Sequence, residues 1–320
     1  MRRRARAWLA AGLAGLAACG REAARPQRVH VPPGATFAEV TDSLAARGLV
    51  RIPFLFRLYA RITGADDEVK PGTYAFPPGA GWHRILEDLR LGRVLTLRIA
   101  IPEGWDLPRI AARLAAATGR PADSVLAILT DTATARRFGV PGPTLEGYLY
   151  PATYTVPADA PLDTVLARMV AEYRKLWTPA RRARADSLGF DEREAITLAS
   201  IIEKEAKRRE EMPLISAVYH NRLRLGYPLQ ADPTVQYALG RHRPRLVYAH
   251  IDSVADHPYN TYRRRGLPPG PIGSPSAAAL DAALSPAPVD YLYFVAQPDG
   301  RHIFTRSLEE HNRVKAGLRR

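Results

Sequence analysis

The first third of the chain repeats one arrangement of apolar and polar positions three times. Val31-Pro32-Pro33-Gly34 is followed by Phe37, Val40 and Leu44. Phe76-Pro77-Pro78-Gly79 is followed by Trp82, Ile85 and Leu89, and Ile101-Pro102-Glu103-Gly104 by Leu107, Ile110 and Leu114. The second and third copies begin 45 (31 to 76) and 70 (31 to 101) residues after the first. Each copy predicts a strand end, a Pro-Gly turn and a helix with apolar residues at i, i+3 and i+7. Strands are expected at 29–31, 73–75 and 97–101.

Beyond the repeats the period is mostly helical. Residues 121–130 predict a helix capped by Asp123 or Ser124, and the Gly/Pro-rich stretch 138–144 predicts a boundary. Residues 162–177 are helical in period. Thr178-Pro179 forms an N-cap and first-turn pair for a further helix that Gly189 ends. Asp191 and Glu194 have capping-box spacing at the start of a helix running through Ala206. Another helix follows Met212-Pro213 and stops at Gly226. Asp232 before Pro233 suits a cap. Residues 291–295 and 302–305 read as strands joined by an Asp299-Gly300 turn, and 308–318 as a closing helix. The fold class expected is α+β: small N-terminal α+β units, then a mixed α+β domain.

Composition narrows the function classes. The chain has 320 residues, 46% of them hydrophobic and 24% charged, which is ordinary for a globular protein. No apolar run is long enough for a membrane-spanning helix, which excludes an integral channel or transporter. Neither a P-loop nor a G-x-G-x-x-G opening a helix occurs, which argues against a nucleotide-driven enzyme. The net charge is +14, carried almost wholly by arginine. That suits an anionic partner such as lipid or cell-wall polymer, or simply solvated arginine-rich faces. No aromatic signature of nucleic-acid binding accompanies it, so nucleic acid is not an expected partner.

The N-terminus reads as an address. Arg2, Arg3, Arg4 and Arg6 precede an apolar stretch at 8–18, which ends Leu16-Ala17-Ala18-Cys19. The stretch fits a signal-peptide core and is too short to span a bilayer. Cys19 is the only cysteine, so the chain can form no internal disulfide. Its position resembles a bacterial lipobox, which implies lipidation of Cys19, removal of the leader and a body outside the cytoplasm. The expected division is a leader at 1–19, a tether at 20–27, the repeats at 28–119, a linker with one helix at 120–143, and a catalytic domain at 144–320.

Candidate chemistry lies in the second half. Glu146 sits among aromatics on a turn or strand end. Glu203 shares a helix face with Ile196, Ala199 and Ala206. Burial there would raise its affinity for a proton, as a general acid requires. An i,i+4 ion pair with Lys207 is the plainer alternative. Glu205 lies about 200° further round the helix, so it faces elsewhere. Tyr259, Asn260, Thr261 and Tyr262 and the segment 266–272 form polar, aromatic loops of the kind that hold sugars by stacking and amide hydrogen bonds. His302, alone on a strand, suits a structural role better than a substrate contact.

Two resemblances follow. The repeats resemble LysM-type peptidoglycan-binding folds. The ordered segments 145–154, 199–206, 221–223, 229–235, 259–262, 266–272 and 291–295 together resemble the endolytic murein transglycosylase, or YceG-like, family. The resemblance covers roughly residue 29 to the C-terminus and is strongest from Thr144 onward. It implies a bacterial envelope enzyme that cuts nascent peptidoglycan strands internally and ends their elongation. It also implies a place at the outer leaflet of the inner membrane, with peptidoglycan synthases as potential partners. The family's catalytic glutamate falls on Glu203. The substrate-binding candidates are Glu146, Tyr148, Glu205, Asn221, Gln230, Asp232, Thr234, Tyr259, Asn260 and Tyr262. The sequence departs from the family in lacking a membrane-spanning start and in having Tyr150-Pro151-Ala152 where Phe-Pro-Asp is usual.

A lytic transglycosylase needs one acid/base and no metal or organic cofactor, and none is expected here. Two other classes stay open: a muramidase-type hydrolase with Asp232 or Glu146 as second carboxylate, and a non-catalytic peptidoglycan-binding lipoprotein.

Overall fold

A computed structural model describes residues 25–318. Cys19 and the expected leader lie outside the described residues. The chain divides into two compact units. One holds the residues up to Thr96 together with Pro157–Asp159, and the other holds Leu97–Val156 and Ala160–Arg320. The division falls inside the expected repeat region, between its second and third copies, and not along 138–144.

In the first unit, β1 (Gln27–Val31) pairs antiparallel with β2 (Gly72–Phe76), Gln27 opposite Phe76 and Val31 opposite Gly72. Helices α1 (Phe37–Ala46), α2 (Pro53–Thr63) and α3 (Trp82–Leu91) accompany them. Strand alternation sends Val29 and Val31 inward, where they meet Val40, Leu44, Phe56, Tyr74, Phe76, Ile85 and Leu89. Thr36 caps α1 in a capping box with Glu39. The strands of the first two copies thus pair with each other. Helix α2 has no counterpart in the periodicity reading. It lies outside the repeated motif, has no side-chain cap and begins with Pro53 in its first turn.

The second unit opens with β3 (Thr96–Ala100), which pairs with β4 (Thr153–Pro157), a strand contributed from far along the chain. Between them run α4 (Leu107–Thr118), α5 (Ala122–Thr130) and α6 (Thr132–Arg137). Residues 120–143 are therefore folded, with Val125, Leu129 and Ala135 in the core. Pro121, not Asp123 or Ser124, occupies the N-cap of α5. Then come α7 (Leu162–Lys175), α8 (Pro179–Leu188), α9 (Glu192–Glu205), α10 (Met212–Arg224), α11 (Asp232–Ala238), α12 (Tyr248–Asp252) and α13 (Ala277–Leu284). A hairpin of β5 (Tyr293–Ala296) and β6 (His302–Thr305) leads to α14 (Leu308–Gly317). Helix α9 is central: every residue from Ala195 to Ile202 is buried, and Asp191 starts it with a capping box. Asp232 is the first residue of α11, not its cap; Ala231 holds the cap position.

The three repeat glycines share one conformation, with φ of 79° at Gly34, 77° at Gly79 and 71° at Gly104. Only glycine takes this left-handed geometry without strain. In each copy the helix then begins three residues later. The motif folds alike in both units, although its strands pair differently.

Candidate active site

The last turn of α9 carries three charged residues in succession, about 100° apart around the axis. They go to three different places. Glu203 turns toward the N-terminus of α13, where its Oε2 accepts from the Ser276 backbone N–H at 2.9 Å and from the Ser276 hydroxyl. Ser276 is also the N-cap of α13, its Oγ accepting from the Ala279 N–H at 3.1 Å. Among the described residues, Glu203 Oε1 accepts no hydrogen bond. Lys207 makes no ion pair with Glu203, because the helix has ended at Glu205.

Lys204 donates to the Gly104 carbonyl at 2.8 Å, and burial lowers its affinity for a proton. Gly104, the turn glycine of the third repeat, lies beside Glu203: a Cβ built on it would stand 3.6 Å from Glu203 Cγ. The turn is stitched to the segment before α13 by Gly104 N–H to Ser274 O and Ser274 N–H to Trp105 O, both 2.8 Å. Gly273 makes this approach possible, since a Cβ there would meet Gly104 O at 2.8 Å. The repeat turn, the end of α9 and the start of α13 thus surround one partly exposed carboxyl.

Glu205 faces the other way. It accepts from the Tyr219 hydroxyl at 2.8 Å. Burial drives its carboxyl up to about 7, with the Asp232 charge adding to the rise and the Tyr219 hydrogen bond and Arg222 opposing it. Asp232 itself accepts from the Tyr262 hydroxyl. Glu146 is only 3% exposed. Its Oε2 accepts from the Leu107 N–H and the Tyr237 hydroxyl, each at 3.2 Å, while its Oε1 is buried without a partner. Burial pushes this carboxyl up to about 8, with Asp106 adding to the rise.

The other candidates hold the fold around these groups. Tyr148 is fully buried against Tyr173, ring centroids 5.3 Å apart, and does not reach solvent. Asn221 donates to the Val289 and Tyr291 carbonyls. Buried Asn260 donates to the Ile251 and Val254 carbonyls, so its amide has no free donor for a sugar. Thr234 is also buried, bonded to Thr261 and Ala231. Gln230 is exposed, with φ of 51°, and its side chain accepts from Arg222. Tyr259 is half-buried, its ring 4.8 Å from that of Tyr237. His302 is structural: its ring pairs with Glu211 at 2.7 Å and its N–H donates to the same carboxylate.

Sequence reasoning missed Ser276, Gly273 and Lys204. A serine before Ala277-Ala278-Ala279-Leu280 is a readable cap signal. Nothing local shows that the cap also serves Glu203. Among the described residues no His, Cys, Asp or Glu cluster is placed to hold a metal ion, and no helix is long and apolar enough to cross a membrane.

A partly exposed glutamate held through one oxygen at the end of a buried helix has the form of an acid–base group. The chain belongs to the YceG-like family, whose sequence model matches residues 29–316. It is 31% identical over 303 residues to an endolytic murein transglycosylase of Bacillus subtilis, covering 90% of this chain and 83% of that one. It is 30% identical over 315 residues to one from Streptococcus pneumoniae serotype 2, covering 89% of this chain and 57% of that one. A crystal structure of a yceG-like protein from Listeria monocytogenes superposes with a TM-score of 0.62 at 31% identity, covering 90% of this chain and 98% of that one. The mixed α+β expectation holds.

Proposed function

We propose that the chain is an endolytic murein transglycosylase, cutting the MurNAc–GlcNAc bond inside nascent peptidoglycan strands and leaving 1,6-anhydroMurNAc ends. The observation that carries the reading is Glu203: the family's catalytic position, tethered through Oε2 to Ser276 with Oε1 unengaged. Glu203 protonates the glycosidic oxygen as general acid. The carboxylate left behind takes the proton of the sugar's own 6-hydroxyl, whose oxygen attacks C1. The nucleophile belongs to the substrate, so proximity lowers the barrier without an enzymatic second carboxylate.

A muramidase would need a second carboxyl open to water or sugar. Glu146 is enclosed and does not meet that need, while Asp232 is exposed, with Oδ1 held by Tyr262 and Oδ2 unengaged among the described residues, so the product ends distinguish the two routes. Glu146 holds the start of α4 and thereby the Gly104 turn. Glu205, Asn221, Gln230 and Thr234 position the walls, while half-buried Tyr259 and Tyr262 are the aromatics available to a glycan. The domain from Thr144 onward carries the chemistry, together with the third repeat turn. The LysM-like first unit holds glycan strands, and Cys19 carries the lipid that keeps the enzyme at the outer face of the membrane beside peptidoglycan synthases.

Digestion of purified glycan strands followed by mass spectrometry tests the reaction. The expected chains end in 1,6-anhydroMurNAc, one water lighter than reducing ends. Reducing ends would make the enzyme a hydrolase, and absence of any cleavage would leave a binding protein. Intact mass of the mature chain tests the anchor: acylated Cys19 at the N-terminus is expected, and a retained Met1 contradicts it.

A further inference from the structure

Helix α2 has two apolar faces, and only one of them is used. Phe56 and Ala60 point inward, Phe56 stacking on Phe37 and edge-on to Trp82, each with centroids 5.7 Å apart. On the other side Phe54, Leu58 and Ile62 recur every four residues, with Leu55 beside them. They are 73%, 45%, 75% and 43% exposed, respectively, and Ile52 before the helix is 51% exposed. Four large side chains along two turns of one short helix form a continuous apolar stripe, unlike the scattered exposure of an ordinary surface. Arg51, Arg57 and Arg61 lie along its edges; Arg57 pairs with Asp42 and Arg61 with Asp66. Basic rims of this kind keep their heads in water while an apolar face enters a lipid interface.

Chain length says what covers the stripe. With Cys19 lipidated, eight residue steps separate the anchor from Gln27, at most about 28 Å even if fully extended. A unit of about 70 residues has a radius of gyration of about 11 Å, so it is nearly as wide as its tether is long. The first unit is confined to the membrane surface, and within it α2 presents the apolar face. We infer that α2 is an interfacial helix that docks the first unit on the lipid bilayer through Phe54, Leu55, Leu58 and Ile62. The inference rests on the anchoring reading of Cys19. Docking fixes the unit at headgroup height, where strands emerging from membrane-bound synthesis are newest.

The test uses the full lipidated chain in phosphatidylethanolamine–phosphatidylglycerol vesicles. Acylated Cys19 has no free thiol, so Ile62→Cys gives a single site for an environment-sensitive dye, and Ala316→Cys on exposed α14 gives the control. A blue-shifted dye at position 62, quenched by doxyl-labelled lipid, with neither effect at position 316, is the expected result. Adding Phe54→Glu should abolish the quenching while acylated Cys19 still keeps the chain on the vesicles. A water-like dye at position 62 overturns the docking. So does a blue shift that doxyl lipid fails to quench and that fades as protein per vesicle is lowered, which would mean a second copy covers the stripe. Intact mass reads the anchor separately. Acyl-Cys19 with a water-like dye at position 62 defeats only the docking, and an unacylated chain that is still quenched there defeats only the anchor.

Discussion

Two carboxyls leave the last turn of α9 two positions apart, and their neighbourhoods are built on opposite plans. Glu205 is enclosed by groups that answer one another: Tyr219 donates to it, Tyr262 donates to Asp232, and the buried Arg222 guanidinium spans the Leu292 and Leu229 carbonyls. Glu203 has one oxygen committed to Ser276 and the other free. Burial raises proton affinity at Glu146, but it also encloses both of that carboxyl's oxygens and so keeps them from a substrate. A working acid needs a fixed orientation and an open oxygen together; Glu203 has both beside the Gly104 turn and the start of α13, whereas Glu205, held through Oε1 by Tyr219, faces the Asp232 and Arg222 side.

Exchanging each carboxyl for its amide separates the two plans most sharply. Glu203→Gln keeps the shape and removes the transferable proton, so turnover should fall about 100- to 10,000-fold while sacculus binding and folding persist. Glu205→Gln should change turnover by less than about threefold, because an amide still accepts from Tyr219. Equal losses in the two variants would dissolve the distinction. Gly273→Ala comes next. Its methyl would sit 2.8 Å from the Gly104 carbonyl and 3.0 Å from Lys204 Cε. Relief of that clash costs about 1–3 kcal/mol of stability and displaces the turn beside Glu203, with up to about 100-fold lost activity; thermal melts and strand-cleavage assays read the two effects.

Ser276→Ala removes a donor to Glu203 and the cap of α13. About tenfold lower kcat is expected, together with about 1 kcal/mol of stability, and Ser276→Thr should restore both. A further effect, on stability and not on turnover, concerns pH. Glu146 binds its proton up to about 8, against 4.5 for an ordinary glutamate. Between those values the folded chain holds a proton that the unfolded chain has released. Stability therefore falls as pH rises, by at most about 1.4 kcal/mol per unit. Glu146→Gln should lessen the slope of melting temperature against pH across that interval and flatten it between about 7 and about 8, above the range in which Glu205 also holds its proton; an unchanged slope would mean that Glu146 does not carry it.

Much of this was legible in the sequence because it is local. The three repeats announced their strands, turns and helices through spacing alone, and Thr178, Asp191 and Gly189 marked real helix ends. Glu203 and Glu205 were separated correctly by helical geometry. What escaped depends on distant partners. The third repeat belongs to the second unit because β3 pairs with β4, and no pattern near Leu97 encodes that choice. Helix α2 was missed because it lies between two copies of the repeat, outside their shared spacing, and has no side-chain cap. Tyr148 and Asn260 looked like sugar-binding groups by type, whereas their burial is set by core packing around them.

The shared hydroxyl of Ser276 has one more consequence, for the order of events during folding. The contact between Glu203 and Ser276 closes a loop of 73 residues, and the Gly104–Ser274 stitch closes one of 170 (274 − 104). Contacts of such high sequence separation form late, since the entropy of loop closure must be met first. A growing or half-folded chain can complete α9 from its own capping box and still have nothing to aim its glutamate. The bond-cleaving geometry is thus the last to be assembled, and wall-cutting competence arrives together with the finished fold.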